Sequence, residues 1–253
     1  MAGVDLRQSA VSGSWIMHAT ARVSELAARI VFLSSALILA AIPLSAQLTG
    51  FGTCKPISQR TAEVGCWILV DQAIGRVLQA EMYWHLDVYP TRGEAEKAKG
   101  PRGTVVESFG KVWLLTIEKA GWRPELKGAR IAEIGPLPVT AGQEYSAVFM
   151  EAILNPGMSS AVHVHSGPEA WYTMSGETCL ETPQGRFVGR AGGAPVIVPG
   201  GPPMLLTAIG PEQRRALTLI LHDSSKPPTT VIHDWEPKGL CTVSPAQSAP
   251  GAR

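Results

Sequence analysis

The stretch Gly157-Met-Ser-Ser-Ala-Val-His163-Val-His165-Ser-Gly-Pro-Glu169, with Gly176 beyond it, constrains this 253-residue chain more than any other segment. In an extended strand, side chains two positions apart share a face, so His163 and His165 project together. Ser166-Gly167-Pro168 is turn chemistry. It lets the chain reverse and brings Glu169 in from a neighbouring strand. Two imidazoles and one carboxylate on one side of an ion make the facial triad of non-haem iron sites. A lone His-x-His is often just a pair of half-exposed polar residues. The carboxylate at a fixed offset and the glycines at both ends argue against that reading here.

This spacing resembles the first signature of the cupin family: a glycine, five residues, His-x-His, three or four residues, Glu, six residues, glycine. Gly157, His163, His165, Glu169 and Gly176 satisfy every position. The family's second signature is met in part. Gly193 and Pro199-Gly200-Gly201 are separated by five residues, but Met204 stands where the family's fourth ligand, a histidine, belongs, and Ala208 stands at the Asn position. A methionine thioether suits Cu(I) and equally fills apolar space. Filling space is the reading expected here, and it leaves a three-ligand site with an additional open position. The resemblance implies an all-β fold, a cupin-type jelly-roll β-barrel, over roughly residues 144 to 223. Residues 63–140 lack a His-x-His and are read as a β-rich N-terminal extension or a degenerate first cupin.

The organisation read along the chain has four parts: an export signal or N-terminal anchor over 1–46, a β-rich region over 47–140, the barrel over 141–225 and a tail over 226–253. Ile30 to Ala46 is an uncharged apolar run preceded by Arg22 and Arg29 and ending in small residues, as in a secretory signal. Met17 fits as its start better than Met1. Read instead as an uncleaved anchor, the same run sits at the lower bound of a membrane span. Cys54, Cys66, Cys179 and Cys241 all follow it, and an oxidising compartment permits two disulfides. Four cysteines allow three connectivities. Because domain termini often lie close together, Cys54 and Cys241, near the two ends of the mature domain, are expected to pair. A periplasmic or secreted location follows. The 22 Lys and Arg against 21 Asp and Glu give a net charge of +1, so nothing points to nucleic acid as a partner.

Apolar and aromatic runs mark strands at Cys66–Val70, Met82–Tyr89, Thr104–Ser108, Lys111–Ile117 and Arg130–Ile134, with Phe109-Gly110 as a hairpin turn. Thr91 with Glu94 forms a capping box before a brief helix. Residues 47 to about 62 read as an irregular lead-in. From Tyr145 the β pattern becomes continuous: Ser146–Leu154, Ala161–His165, Ala170–Ser175, Thr178–Glu181, Phe187–Arg190, Pro195–Val198, Met204–Ala208 and Arg215–His222. The last ten residues of the Pro- and Ser-rich tail are expected to be loose.

His163, His165 and Glu169 are therefore the expected ligands of a divalent metal ion (Fe, Mn, Ni, Zn or Cu), with Glu169 the candidate catalytic group. Trp171 and Thr173 alternate inward with Glu169, and with Met204 they are the residues expected around a substrate; core packing serves Trp171 as well. Glu151 is a candidate general base if it faces inward, and His85 between Trp84 and Leu86 reads as structural. The resemblance implies a metal-dependent enzyme of the dioxygenase, isomerase or lyase class acting on a small organic molecule. The alternative is a binding module, for a small molecule or sugar, with a degenerate metal site. The N-terminal apolar run leaves a transient membrane association open. A homodimer is also open, since dimers are the commonest oligomers.

Overall fold

A computed structural model describes residues 49–243. The expected export signal over 1–46 and the last ten residues of the tail lie outside the described residues. Seventeen strands, one α-helix and one turn of 3₁₀-helix make up the described chain, whose only α-helix, α1 (Arg92–Ala98), is far too short to span a bilayer.

Two sheets face each other and form the barrel. One contains β1 (Thr49–Gly52), β9 (Met158–Ser160), β15 (Leu205–Ile209), β12 (Glu177–Thr182) and β13 (Gly185–Arg190), in that order. The other runs β14 (Val196–Val198), β11 (Glu169–Ser175), β16 (Arg214–Asp223), β8 (Glu144–Leu154), β3 (Gly65–Arg76) and β2 (Lys55–Pro56). Successive strands change sheet: β8 leads across to β9, β11 to β12, β13 to β14 and β15 to β16. That alternation is a jelly roll, and the fold is all-β. Val148, Met150, Trp171, Leu180, Leu206 and Ile220 pack together between the two sheets.

A third, antiparallel sheet covers the outer face of the six-stranded one. It is ordered β5 (Gly103–Ser108), β6 (Lys111–Glu118), β4 (Glu81–Tyr89) and β7 (Ala129–Pro138). Trp84, Leu86, Trp113 and Ile117 from this layer meet Ala147, Phe149, Leu217, Leu219 and Leu221 from the barrel. β8 and β16 are thus covered on both faces, which is why their sequences read as unbroken apolar runs. The β5–β6 hairpin turns through Phe109 and Gly110 at positive φ of 51° and 69°, the geometry of a type I′ turn. Thr91 caps α1 by accepting from the Glu94 N–H at 3.2 Å.

Residues 77–139 form this covering layer and do not close into a barrel of their own. The expected boundary at 140 has no structural counterpart, because β3 lies upstream of it and pairs with β8 along its whole length. The lead-in is less irregular than expected: β1 and β2 add short parallel strands to β9 and β3. Ala161–His165 is not one strand either. β9 ends at Ser160, and a separate β10 (His163–Val164) pairs with β17 (Thr230–Val231) from the tail.

The disulfides are Cys54–Cys66 and Cys179–Cys241. The expected Cys54–Cys241 pair is therefore incorrect. Each cysteine instead joins a partner on the nearest packed element: Cys66 lies on β3 beside the N-terminal segment, and Cys179 on β12 beneath the tail.

Candidate metal centre

Strand register and two close backbone approaches build the site. Glu169 opens β11, paired with Val198 on one side and Ile220 on the other. Alternation from it puts Trp171 on the barrel face and Ala170 and Tyr172 on the outer face. His163 and His165 reach the same space from β10 and the turn after it. That turn is crowded. A Cβ on Gly167 would meet the Leu221 carbonyl oxygen at 2.0 Å, and a Cβ on Gly200 would meet the Gly167 backbone at 2.5 Å. Two turn glycines that lie inside the two signature segments therefore pack against each other. The Gly201 N–H then donates to the His165 carbonyl at 2.8 Å.

All three side chains are buried, and one donor atom from each lies within 4.8 Å of the others. His163 donates its Nδ1 proton to the Ala161 carbonyl at 2.7 Å, and His165 donates its own to the Pro228 carbonyl at 2.7 Å. Both Nε2 lone pairs consequently face inward, 3.1 Å apart. Glu169 accepts from Trp171 Nε1 through Oε1 at 2.9 Å. Its Oε2 stands 3.5 Å from His165 Nε2 and has no hydrogen-bond partner.

This donor set fits a first-row metal. Two nitrogens bound to one ion at about 2.1 Å lie roughly 3 Å apart at an open angle, close to the spacing seen here. Facing lone pairs and an orphaned buried carboxylate oxygen are costly without a cation between them. Burial and the neighbouring His165 lower the pKa of His163. Burial opposes charge on His165 too, but the Glu169 carboxylate outweighs it and raises that pKa. Burial likewise opposes charge on Glu169, yet the two imidazoles and the Trp171 indole hold its pKa below the ordinary carboxylate value.

The donors sit at one end of a cavity of about 260 Å³ with mostly aliphatic walls, among them Ile68, Val148, Met150 and Leu206. Trp171, Thr173 and Met204, expected around a substrate, are not among the residues that line it. Trp171 is 1% exposed and acts through its hydrogen bond to Glu169. Met204 is bridged to His163 by a pair of backbone hydrogen bonds, and its side chain packs into the barrel core with Val198. Glu151 faces out of the barrel, paired with Arg60 and accepting from Ser108 Oγ at 2.5 Å. His85 is buried in the covering layer between Arg130 and the Lys119 carbonyl.

Two contributions were not read from the sequence. The tail supplies Pro228 and Thr229 to the cavity wall, and a buried arginine, Arg214, lines it from β16. The expected strand began one residue late, at Arg215. Extending the alternation Thr218, Ala216, Arg214 would have shown that Arg214 faces inward.

The strand connectivity, with the paired histidines entering before β11 and the Pro-Gly-Gly turn before β15, is that of a jelly-roll barrel, the architecture the resemblance implied. No family model matches the chain, and no curated protein sequence matches it. Among solved structures, it is similar to a cupin superfamily protein from Desulfitobacterium hafniense at 13% identity, over 34% of this chain and 74% of that one, with a TM-score of 0.28. A conserved protein with a double-stranded β-helix domain from Klebsiella pneumoniae matches at 21% identity, over 39% and 77%, with a TM-score of 0.28. A cupin-like protein from Thermotoga maritima matches at 14% identity, over 40% and 87%, with a TM-score of 0.31.

Proposed function

We propose that this chain is an exported, metal-dependent enzyme of the cupin class in which His163, His165 and Glu169 hold a divalent first-row metal and the adjoining cavity receives a small organic molecule. The observation that carries this reading is the convergence of two imidazole lone pairs and an unpartnered carboxylate oxygen at the head of that cavity. When bound, the metal would supply a Lewis acid able to polarise a substrate oxygen and a template that orients the substrate.

The remaining steps belong to the chain. The Ala161 and Pro228 carbonyls fix the tautomer and the orientation of both rings. The Trp171 indole holds one oxygen of Glu169 and so aims the other at the donors. The aliphatic walls lower the local dielectric around the donors, which strengthens each electrostatic contact there. The methionine at position 204 leaves a coordination position for substrate. Two disulfides are compatible with export.

Metal analysis of protein purified from the periplasm tests the reading. Near-stoichiometric Fe, Mn, Ni, Zn or Cu is expected, absent from His163→Ala and Glu169→Ala protein. Metal-free protein whose melting temperature ignores added divalent ions would overturn it.

A further inference from the structure

Arg214 is 1% exposed, opens β16, and lines the same cavity as the metal ligands. Its side chain makes one hydrogen bond among the described residues, from Nε to the neutral Thr178 Oγ1 at 2.5 Å. Nη2 is buried without a partner, and no described carboxylate lies within ion-pair distance. The half-buried Arg130, by contrast, is clasped by both oxygens of Asp87 at 2.7 and 3.0 Å. Gly176 sits against Arg214 at a positive φ of 65°, and a Cβ there would meet the Arg214 Cα at 2.7 Å.

A guanidinium taken out of water without a counter-charge is costly, and an apolar residue of similar volume would spare that cost. Burial pushes its pKa down to about 10, so it stays charged at neutral pH. Glu169 is near enough for its charge to favour the guanidinium, though it does not pair with it. A divalent ion on the triad would neutralise Glu169 and leave Arg214 less compensated still. The free edge of a guanidinium matches a carboxylate with two parallel hydrogen bonds. Thr218, also on the cavity wall, adds a hydroxyl between Arg214 and the triad along β16.

We propose that Arg214 is the anion anchor of the cavity and that the substrate is a small organic acid, its carboxylate on Arg214, its apolar body along the aliphatic wall and its other end toward His163, His165 and Glu169. The cavity of about 260 Å³ is smaller than pockets for drug-sized ligands, which begin at about 300 Å³. This deepens the enzyme reading and rests on it only for the metal end of the ligand.

The test uses full-length mature protein, with and without metal, titrated with matched probes: benzoate, benzamide, benzyl alcohol, and inorganic phosphate. Benzoate is expected to raise the melting temperature of both forms, while benzamide and benzyl alcohol do not. In Arg214→Met the benzoate response should vanish, with metal content unchanged. In Arg214→Lys binding should weaken about tenfold, because a point charge replaces a fork. Equal responses to benzoate and benzamide in the wild type would overturn the proposal without any variant. So would undiminished benzoate binding in Arg214→Met, or a response to phosphate alone. Because the metal-free form carries its own expected benzoate response, a failure of metal binding is distinguished from a failure of the anchor.

Discussion

Glu169 depends on a single indole N–H for the orientation of its buried carboxylate. Replacing Trp171 with Phe keeps the apolar bulk and removes that donor. The expected cost is about 1–3 kcal/mol of stability, with metal affinity falling about 10–100-fold. Denaturant titration and metal competition measure the two effects, and an unchanged metal affinity would assign Trp171 to packing alone. Met204→His offers the opposite change. Position 204 is hydrogen-bonded across from His163, so a histidine there should tighten metal binding at least about tenfold, read by the same competition assay; no change would mean the new ring points elsewhere. The pH response follows from the shifted groups. His165 has a raised pKa, so in metal-free protein its contribution is full below the ordinary 6.5 and lost as pH rises through the raised value. Glu169 has a lowered pKa, so its contribution is present above the ordinary 4.5 and lost as pH falls through the lowered value. The metal requires His165 without its proton. The stabilisation that metal brings should therefore grow as pH rises above 6.5 through the raised value, which melts with and without metal will show.

The ligand strands show what a sequence discloses at the level of elements. Alternation in His163-Val-His165 and the turn at Ser166-Gly167-Pro168 are local properties, so the convergence of the three side chains was legible from spacing, and the barrel from the resemblance. The seating of that turn against the Pro-Gly-Gly turn was visible only as glycines. Its physical cause is a contact between segments over thirty residues apart. Gly167→Ala places a methyl group on the Leu221 carbonyl and should cost about 3 kcal/mol or more. It should also abolish metal retention, as chemical denaturation and metal analysis will report; a stable, metal-replete variant would contradict the geometry. Arg214 was illegible for a different reason: its significance lies in the lack of a counter-charge, and a chain read in one dimension does not reveal which groups go unpaired. The boundary at 140 failed similarly, since β3 is paired with β8 by tertiary contact and not by proximity in sequence.

Across the whole molecule, the tail turns back over the barrel. β17 pairs with β10, Glu181 accepts from the Leu240 N–H at 2.8 Å and from the Lys238 N–H, and Cys241 is bonded to Cys179. The two disulfides close loops of different length, with sequence separations of 12 and 62. Chain-entropy arguments then give about 3 kcal/mol for the first and about 4 kcal/mol for the second. Cys241→Ser should thus lower stability more than Cys54→Ser, and it alone should loosen the hold on His165, seen as weaker metal binding. Equal effects on metal affinity would separate the tail from the site. The carbonyl that steers His165 comes from Pro228, on that same late segment. The ring plane of His165 is thus set by a segment that the Cys179–Cys241 bond and the β10–β17 pairing tie down.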